Sequence, residues 1–226
     1  MPIDPNADIT VFAYSWVPNT AKGYVRDLRP RWALEEAGLS YRTELIHAGE
    51  KRPDTFLREQ PFGQVPALTD NGIRIFESGA ILLHLAEKSE VLMPKDPQGR
   101  ASTQSWLLAA FNSVEPFVFE LFFVNVIHRK ADWADLRRPS AEEMLRRRLT
   151  PVDAALSGRD YLAGPFTVAD IAMATVLREA KDHLGLADFP ALDAYLKRCL
   201  ARPAFQRALD AQMADFTAPP PTAPAS

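Results

Sequence analysis

The stretch VPALTDNGIRIFE, residues 65–77, constrains the fold more than any other part of the chain. Two short apolar-rich runs flank Asp70-Asn71-Gly72, and Asn and Gly tolerate the positive φ that a tight hairpin turn requires. The two runs are therefore expected to pair as antiparallel strands. SGAILLHLAEK, residues 78–88, follows at once as an apolar helix, so the second strand delivers Glu77 and Ser78 to a helix N-terminus. Such an end exposes unpaired N–H groups and a partial positive charge, and it receives a carboxylate readily.

Upstream, ITVFAY (9–14) reads as a buried strand and YRTELI (41–46) as a second one. Between them DLRPRWALEEAG (27–38) reads as a helix, with Asp27 as N-cap, Pro30 in the first turn and Gly38 at the end. PDTFLREQ (53–60) is a further helical turn or two. The strands on either side of the first helix are expected to run parallel through a right-handed crossover. After Ser89 the pattern changes. EVLMPKDPQ (90–98) reads as a linker, and residues 99–216 show helix signals with no convincing strand. Helices are expected at 99–129, 140–157, 167–184, 190–201 and 203–215, the first kinked or split by Pro116. Residues 217–226, ending in APPPTAPAS, read as a disordered tail.

Bulk properties exclude several classes. The formal net charge of -3 offers no strong basic field for nucleic acid or anionic lipid. The start, MPIDPNADIT, lacks the charged and apolar segments of a secretory leader. No 18-residue stretch reads as apolar enough to span a membrane; the richest run, FVFELFFVNVI, carries Glu120 and Asn125. A single cysteine, Cys199, rules out an intrachain disulfide framework, and a cytoplasmic location is expected. The four histidines show no metal-ligand spacing, and no Gly-x-Gly-x-x-Gly or P-loop pattern is present.

Three motifs in order carry a family resemblance that covers residues 9–216: GQVPAL (63–68), FESGAIL (76–82) and FTVADIAM (166–173). They resemble, respectively, the Gly-x-Val-Pro-x-Leu segment with its cis proline, the Glu-Ser element at the third helix, and the helical-domain capping box of the cytosolic glutathione S-transferases. The resemblance implies a thioredoxin-like α/β domain (9–89), a linker (90–98), an all-α domain (99–216) and commonly a homodimer. It implies glutathione as co-substrate with no metal, a hydrophobic electrophile as second substrate, and no nucleic-acid or membrane partner. Subtypes left open are peroxide reduction, dehalogenation and isomerisation of a cis-dienoic acid. A non-catalytic binding or regulatory protein on the same fold is the alternative. A redox oxidoreductase is expected to need a catalytic cysteine that the chain lacks.

On this resemblance Val65 and Pro66 present a fixed backbone edge to which the cysteinyl unit of glutathione pairs as an added strand. Ser78 binds the γ-glutamyl carboxylate and Glu77 the ammonium. Gln64, Lys51 and Arg52, with His47 as a weaker candidate, lie toward the glycine end. Trp106, Ala110 and Ser113, at spacings of 3 and 4, form one helix face for the electrophile. The thiol-activating group follows the first strand, where SWVPNTAKGYVRDLRPR is longer than the family's usual segment. Ser15 is placed first, then Thr20, then Tyr14, with Arg26 as a nearby cation. Thr167 and Asp170 form a capping box, stapled by Phe166 and Ile171, and are structural.

Overall fold

A computed structural model describes residues 3–221. It divides the chain into two compact units, one holding the chain through Ser89 and again from Arg202, the other Glu90–Ala201.

The first unit is built on a four-stranded sheet of order β2-β1-β3-β4. Strand β1 (Ile9–Trp16) is joined to β2 (Arg42–His47) through helix α1 (Leu28–Ala37), and the two strands are parallel, as the crossover requires. After α2 (Asp54–Glu59), β3 (Ala67–Asp70) pairs antiparallel with β1 and with β4 (Ile73–Phe76). The hairpin turn is Asn71-Gly72, at φ 49° and 84°, the pair of left-handed residues the sequence anticipates. Helix α3 (Ser78–Ala86) buries Ile81, Leu82, Leu85 and Ala86. The hairpin is tied to α3 by Asp70, whose carboxylate accepts from His84 Nε2 at 2.6 Å and Lys88 Nζ at 2.6 Å. Burial works to raise the Asp70 pKa, but the bonds from Lys88 and His84 outweigh it and hold the carboxyl below its ordinary value. A native pKa below the unfolded value of about 3.9 stabilises the fold above that pH and loses the contribution as pH falls through the native value. Asp70→Asn is therefore expected to flatten the loss of stability below about pH 4, read as urea midpoints across the acid range.

Two expectations are corrected here. Asp27 makes no side-chain cap on α1; its carboxylate is buried and accepts from Arg31 Nε at 2.7 Å and Gln212 Nε2 at 2.7 Å. And the last helix, α9 (Pro203–Asp215), belongs to the first unit. It is clamped on α1 by Arg202–Glu36 at 2.6 Å, Arg207–Glu35 at 2.6 Å and Arg31–Asp215 at 2.5 Å, with Trp32 edge-on to Phe205.

The second unit is helical. Its first helix runs from α4 (Pro97–Ala109) through a π-helical turn (Ala110–Val114), α5 (Glu115–Phe122) and a second π turn (Phe123–Ile127). Pro116 does not split it: the π turn immediately before absorbs the missing N–H, and Pro116 sits in the first turn of α5. Contrary to the sequence reading, Pro97–Ile127 does carry a window apolar enough, by length and composition alone, to cross a membrane. Its buried stripe is Thr103, Leu107, Ala110, Val114, Val118, Leu121 and Val124, at helical spacing. Helix α6 (Ala134–Leu156) begins earlier than expected and contains Pro139. Arg138, which donates to Asn125 Oδ1 at 2.9 Å, and Arg137, paired with Glu120, fix this early start against the preceding helix. α7 (Val168–Leu184), α8 (Pro190–Leu200) and their neighbours close the core.

The capping box stands as read. Thr167 N–H donates to Asp170 Oδ2 at 2.8 Å and Thr167 Oγ1 accepts from the Ala169 N–H at 3.3 Å. Asp170 also accepts from Leu162 N–H at 3.1 Å and Tyr195 Oη at 2.9 Å, so the cap anchors a loop and a second helix. Thr167→Ala is expected to lower stability by about 1 kcal/mol in chemical denaturation.

Candidate functional site

The hairpin and α3 bring the expected binding groups to one end of the sheet. The Val65–Pro66 peptide is cis, and the β3 ladder begins only at Ala67, which registers with Phe12 and Phe76. Val65 thus lies ahead of the sheet's paired residues, its side chain in a cluster with Phe12, Phe56 and Ala67, against which Tyr14 and Val25 pack. The loop leading in is shaped by buried Gln60, whose Oε1 accepts from the N–H of Phe62 at 2.6 Å and of Gln64 at 3.3 Å. Gln64 itself is exposed.

Glu77 and Ser78 stand at the mouth of α3. Glu77 is exposed and sits at φ 70°, ψ 120°, a conformation that costs a non-glycine residue on the order of 1–3 kcal/mol. Its carboxylate makes no side-chain cap on the helix's own N–H groups. Ser78 is buried, and its Oγ accepts from Arg29 Nη1 at 3.0 Å. An accepting hydroxyl keeps its own hydrogen for another acceptor. Arg29, itself buried in α1, was missed by sequence reasoning because an arginine in a charged helix reads as a solvated face. Its cation adds to the positive end of α3.

Arg52 departs from its expected role. Its five N–H donors meet five acceptors: Gly63 O at 2.8 Å, His47 O at 2.9 Å, Glu50 O at 2.7 Å, Ala48 O at 3.1 Å and Tyr14 Oη at 3.2 Å. No donor is left for a ligand carboxylate. Arg52 instead laces the loop after β2 to Gly63, and its guanidinium lies 5.2 Å from the centre of the Tyr14 ring. Gly63 is at φ 65°, and a Cβ there would meet Arg52 Cγ at 3.2 Å, so the position favours glycine twice over. Lys51 is exposed beside it.

The three thiol-activating candidates separate clearly. Tyr14 is half-buried, accepts from Arg52 and retains its phenolic hydrogen. Ser15 falls at a bulge, where the register between β1 and β2 shifts, and its Oγ donates to Ile46 O at 3.3 Å. Thr20 lies exposed on a 3-10 turn, Asn19–Ala21.

In the helical unit Trp106 is half-buried, Ala110 is fully buried and Ser113 is exposed, so the three do not form the single open face that α-helical spacing implies. The reason is that Ala110 belongs to the buried stripe it shares with Thr103, Leu107 and Val114, so it turns into the core of the unit. One open groove of this unit, about 510 Å³, is lined elsewhere, by Phe123, Val124, Trp133 and Leu136 with Glu120, Arg137 and Ser140. Cys199 is buried on α8. Among the described residues no three His, Cys, Asp or Glu side chains gather as metal ligands.

Residues 20–87 match the family model described as glutathione S-transferase, N-terminal domain, and residues 116–203 the one described as glutathione S-transferase, C-terminal domain. The disulfide-bond oxidoreductase YfcG of Escherichia coli (strain K12) is 31% identical over 195 residues, 80% of this chain and 89% of its own length. The chain belongs to the cytosolic glutathione S-transferase family. Glutathione S-transferase F10 of Arabidopsis thaliana is 33% identical over 150 residues, covering 62% of this family member and 69% of the plant protein. Among solved structures, a glutathione transferase family member from Pseudomonas fluorescens pf-5, with two glutathione bound, superposes with a TM-score of 0.78 at 27% identity, covering 89% of this chain and 92% of that one.

Proposed function

We propose that this family member binds glutathione at the end of its sheet and uses the thiolate against a hydrophobic electrophile. The observation that carries the reading is the Glu77-Ser78 pair: an exposed residue whose carboxylate does not cap the helix, beside a buried hydroxyl that is held by Arg29 at a helix terminus without a side-chain cap. An α-amino acid head needs both charges within a few ångströms. Glu77 takes the ammonium, while Ser78 and the α3 N–H groups take the carboxylate. The cysteinyl unit pairs with the backbone at Val65, ahead of Pro66, and Gln64 and Lys51 face the glycine end.

Tyr14 is the thiol donor in this reading. It packs against the cluster that contains Val65, and Arg52 occupies its oxygen lone pair while leaving its hydrogen free. A free thiol titrates near ~8.5, so half ionisation at pH 7 needs roughly 2 kcal/mol. One hydrogen bond to a charged group supplies about 1.5–3 kcal/mol. The chemical step then gains from ionisation and proximity. We further propose a cytoplasmic homodimer; Phe62, Ile73 and Phe76 are exposed on the first unit, with the Phe62 and Phe76 rings 6.2 Å apart.

A second reading, disulfide reduction, is favoured by the two glutathione molecules bound in the Pseudomonas structure and by the oxidoreductase among the relatives. It needs no cysteine of this chain, which revises the expectation drawn from the lone Cys199. One glutathione thiolate attacks the disulfide and expels a thiolate. A second attacks the mixed disulfide, giving glutathione disulfide and the other thiol. Parallel assays with 1-chloro-2,4-dinitrobenzene, cumene hydroperoxide and a small organic disulfide separate the readings. Turnover of the first two alone supports transfer, turnover of the disulfide alone supports reduction, and glutathione binding with no turnover supports a regulatory protein.

A further inference from the structure

The chain ends in a proline-rich segment that the sequence reads as disordered, yet residues 217–221 lie along the first unit; residues 222–226 fall outside the described residues. The run begins where α9 stops. Lys22 Nζ stands 5.8 Å from the centre of the Phe216 ring. The Ala218 N–H donates to Ser15 O at 3.0 Å. Pro219 O meets His47 Nε2 at 2.9 Å. Pro221 sits on Gly49 so closely that a Cβ there would lie 2.6 Å from Pro221 Cγ and 2.8 Å from its Cβ.

These contacts are mutually consistent in chemistry. Residues 219–221 are prolines, so Ala218 carries the one backbone donor of the segment 218–221, and it is bonded to Ser15. Ser15 is the residue at the β1 bulge, where the ladder with β2 shifts register. The Gly49 N–H donates to His47 Nδ1 at 3.1 Å, which leaves the hydrogen of a neutral imidazole on Nε2, the atom facing the Pro219 carbonyl. The His47 ring is held flat against Trp16, with centroids 5.3 Å apart and planes within 2°, so its direction is fixed. Gly49 adds what no other residue type supplies: a backbone with no side chain, against which a proline ring closes. Proline's fixed φ lowers the entropy that docking must remove.

We propose that the Ser15 carbonyl, His47 and Gly49 form a docking cleft for an extended proline-rich segment, and that its occupant is this chain's own residues 217–221. The segment is a strap rather than a free tail. It joins the stretch after α9 to the residue beside Tyr14 and to the loop that carries Lys51. Nothing in this assignment depends on glutathione, so it stands or falls separately from the proposed function.

Gly49→Ala is the discriminating variant. The three nearest atoms to the added Cβ all belong to Pro221, and Gly49 is not in the left-handed region, so the strain of alanine falls first on the strap contact. Amide hydrogen exchange by NMR reads the result on the full chain. In the wild type the Ala218 amide is expected to exchange at least roughly tenfold more slowly than in an unstructured peptide of the same sequence, and Gly49→Ala and His47→Ala are each expected to remove most of that protection. Amides within β1 and β3 report that the sheet is intact in each variant. An Ala218 amide that exchanges at the unstructured rate in the wild type overturns the proposal, as does full protection retained in Gly49→Ala.

Discussion

Arg31→Met is expected to destabilise the first unit by about 3–5 kcal/mol, the range found when one partner of a buried ion pair is removed. Arg31 is fully buried in α1, between Asp27 at 2.7 Å and Asp215 at 2.5 Å. Burial works against its charge, but the two carboxylates outweigh it and raise its pKa above the already high ordinary value. Methionine replaces the unbranched stem as far as the Nε position and so limits the cavity to the space of the guanidinium head, but it leaves Asp27 buried without its cation. Asp27 keeps Gln212 as a donor, a neutral one. Adding Asp27→Leu to Arg31→Met is expected to restore part of the loss, because it removes the stranded charge. Fluorescence-detected urea unfolding is a suitable measurement, since Trp32 is buried beside Phe205 of α9. A loss below about 1 kcal/mol would mean that the clamp between α1 and α9 is not what secures the last helix.

Tyr14→Phe is expected to lower kcat/KM at neutral pH about 10- to 100-fold and to raise the pH at which activity appears by roughly 1–2 units, with glutathione affinity nearly unchanged. The ring stays, and with it the stacking surface 5.2 Å from the Arg52 guanidinium, so the loss is confined to the phenolic oxygen. Ser15→Ala is expected to change the rate less than threefold, because its hydroxyl hydrogen is already directed to Ile46 O. The pH profile of kcat/KM for both variants decides between them. A larger effect of Ser15→Ala than of Tyr14→Phe would reverse the order argued from the geometry.

What could be read from the sequence was local. The Asn71-Gly72 turn, the Val65–Pro66 segment, the Glu77-Ser78 step into α3 and the Thr167–Asp170 box each depend on residues a few positions apart, and each is found where the sequence puts it. The misplaced features depend on partners far along the chain. α9 looks like one more amphipathic helix until Arg202 and Arg207 are seen to reach Glu36 and Glu35. Arg29 carried no signal of its own in the sequence and Arg52 is expected toward the glycine end of the ligand, but one is buried against Ser78 and the other is saturated by four carbonyls and a phenol. The strap was hidden for a related reason: proline-rich composition reports that a segment cannot build a core of its own, not that no other part of the chain will receive it. The face of Trp106, Ala110 and Ser113 failed because Ala110 lies on the stripe that packs into the helical core with Leu107 and Val114, a placement set by partners far along the chain.

The central claim is that Glu77 and Ser78, with Arg29 beneath them, form an amino-acid clamp for glutathione. Calorimetric titration of glutathione into the wild type and Ser78→Ala tests it most directly. The account predicts saturable binding by the wild type and a roughly 10- to 100-fold weaker affinity in the variant, the worth of one hydrogen bond to a charged group. Equal affinity in the two proteins, or no binding heat from a wild type whose fold is intact, would contradict it.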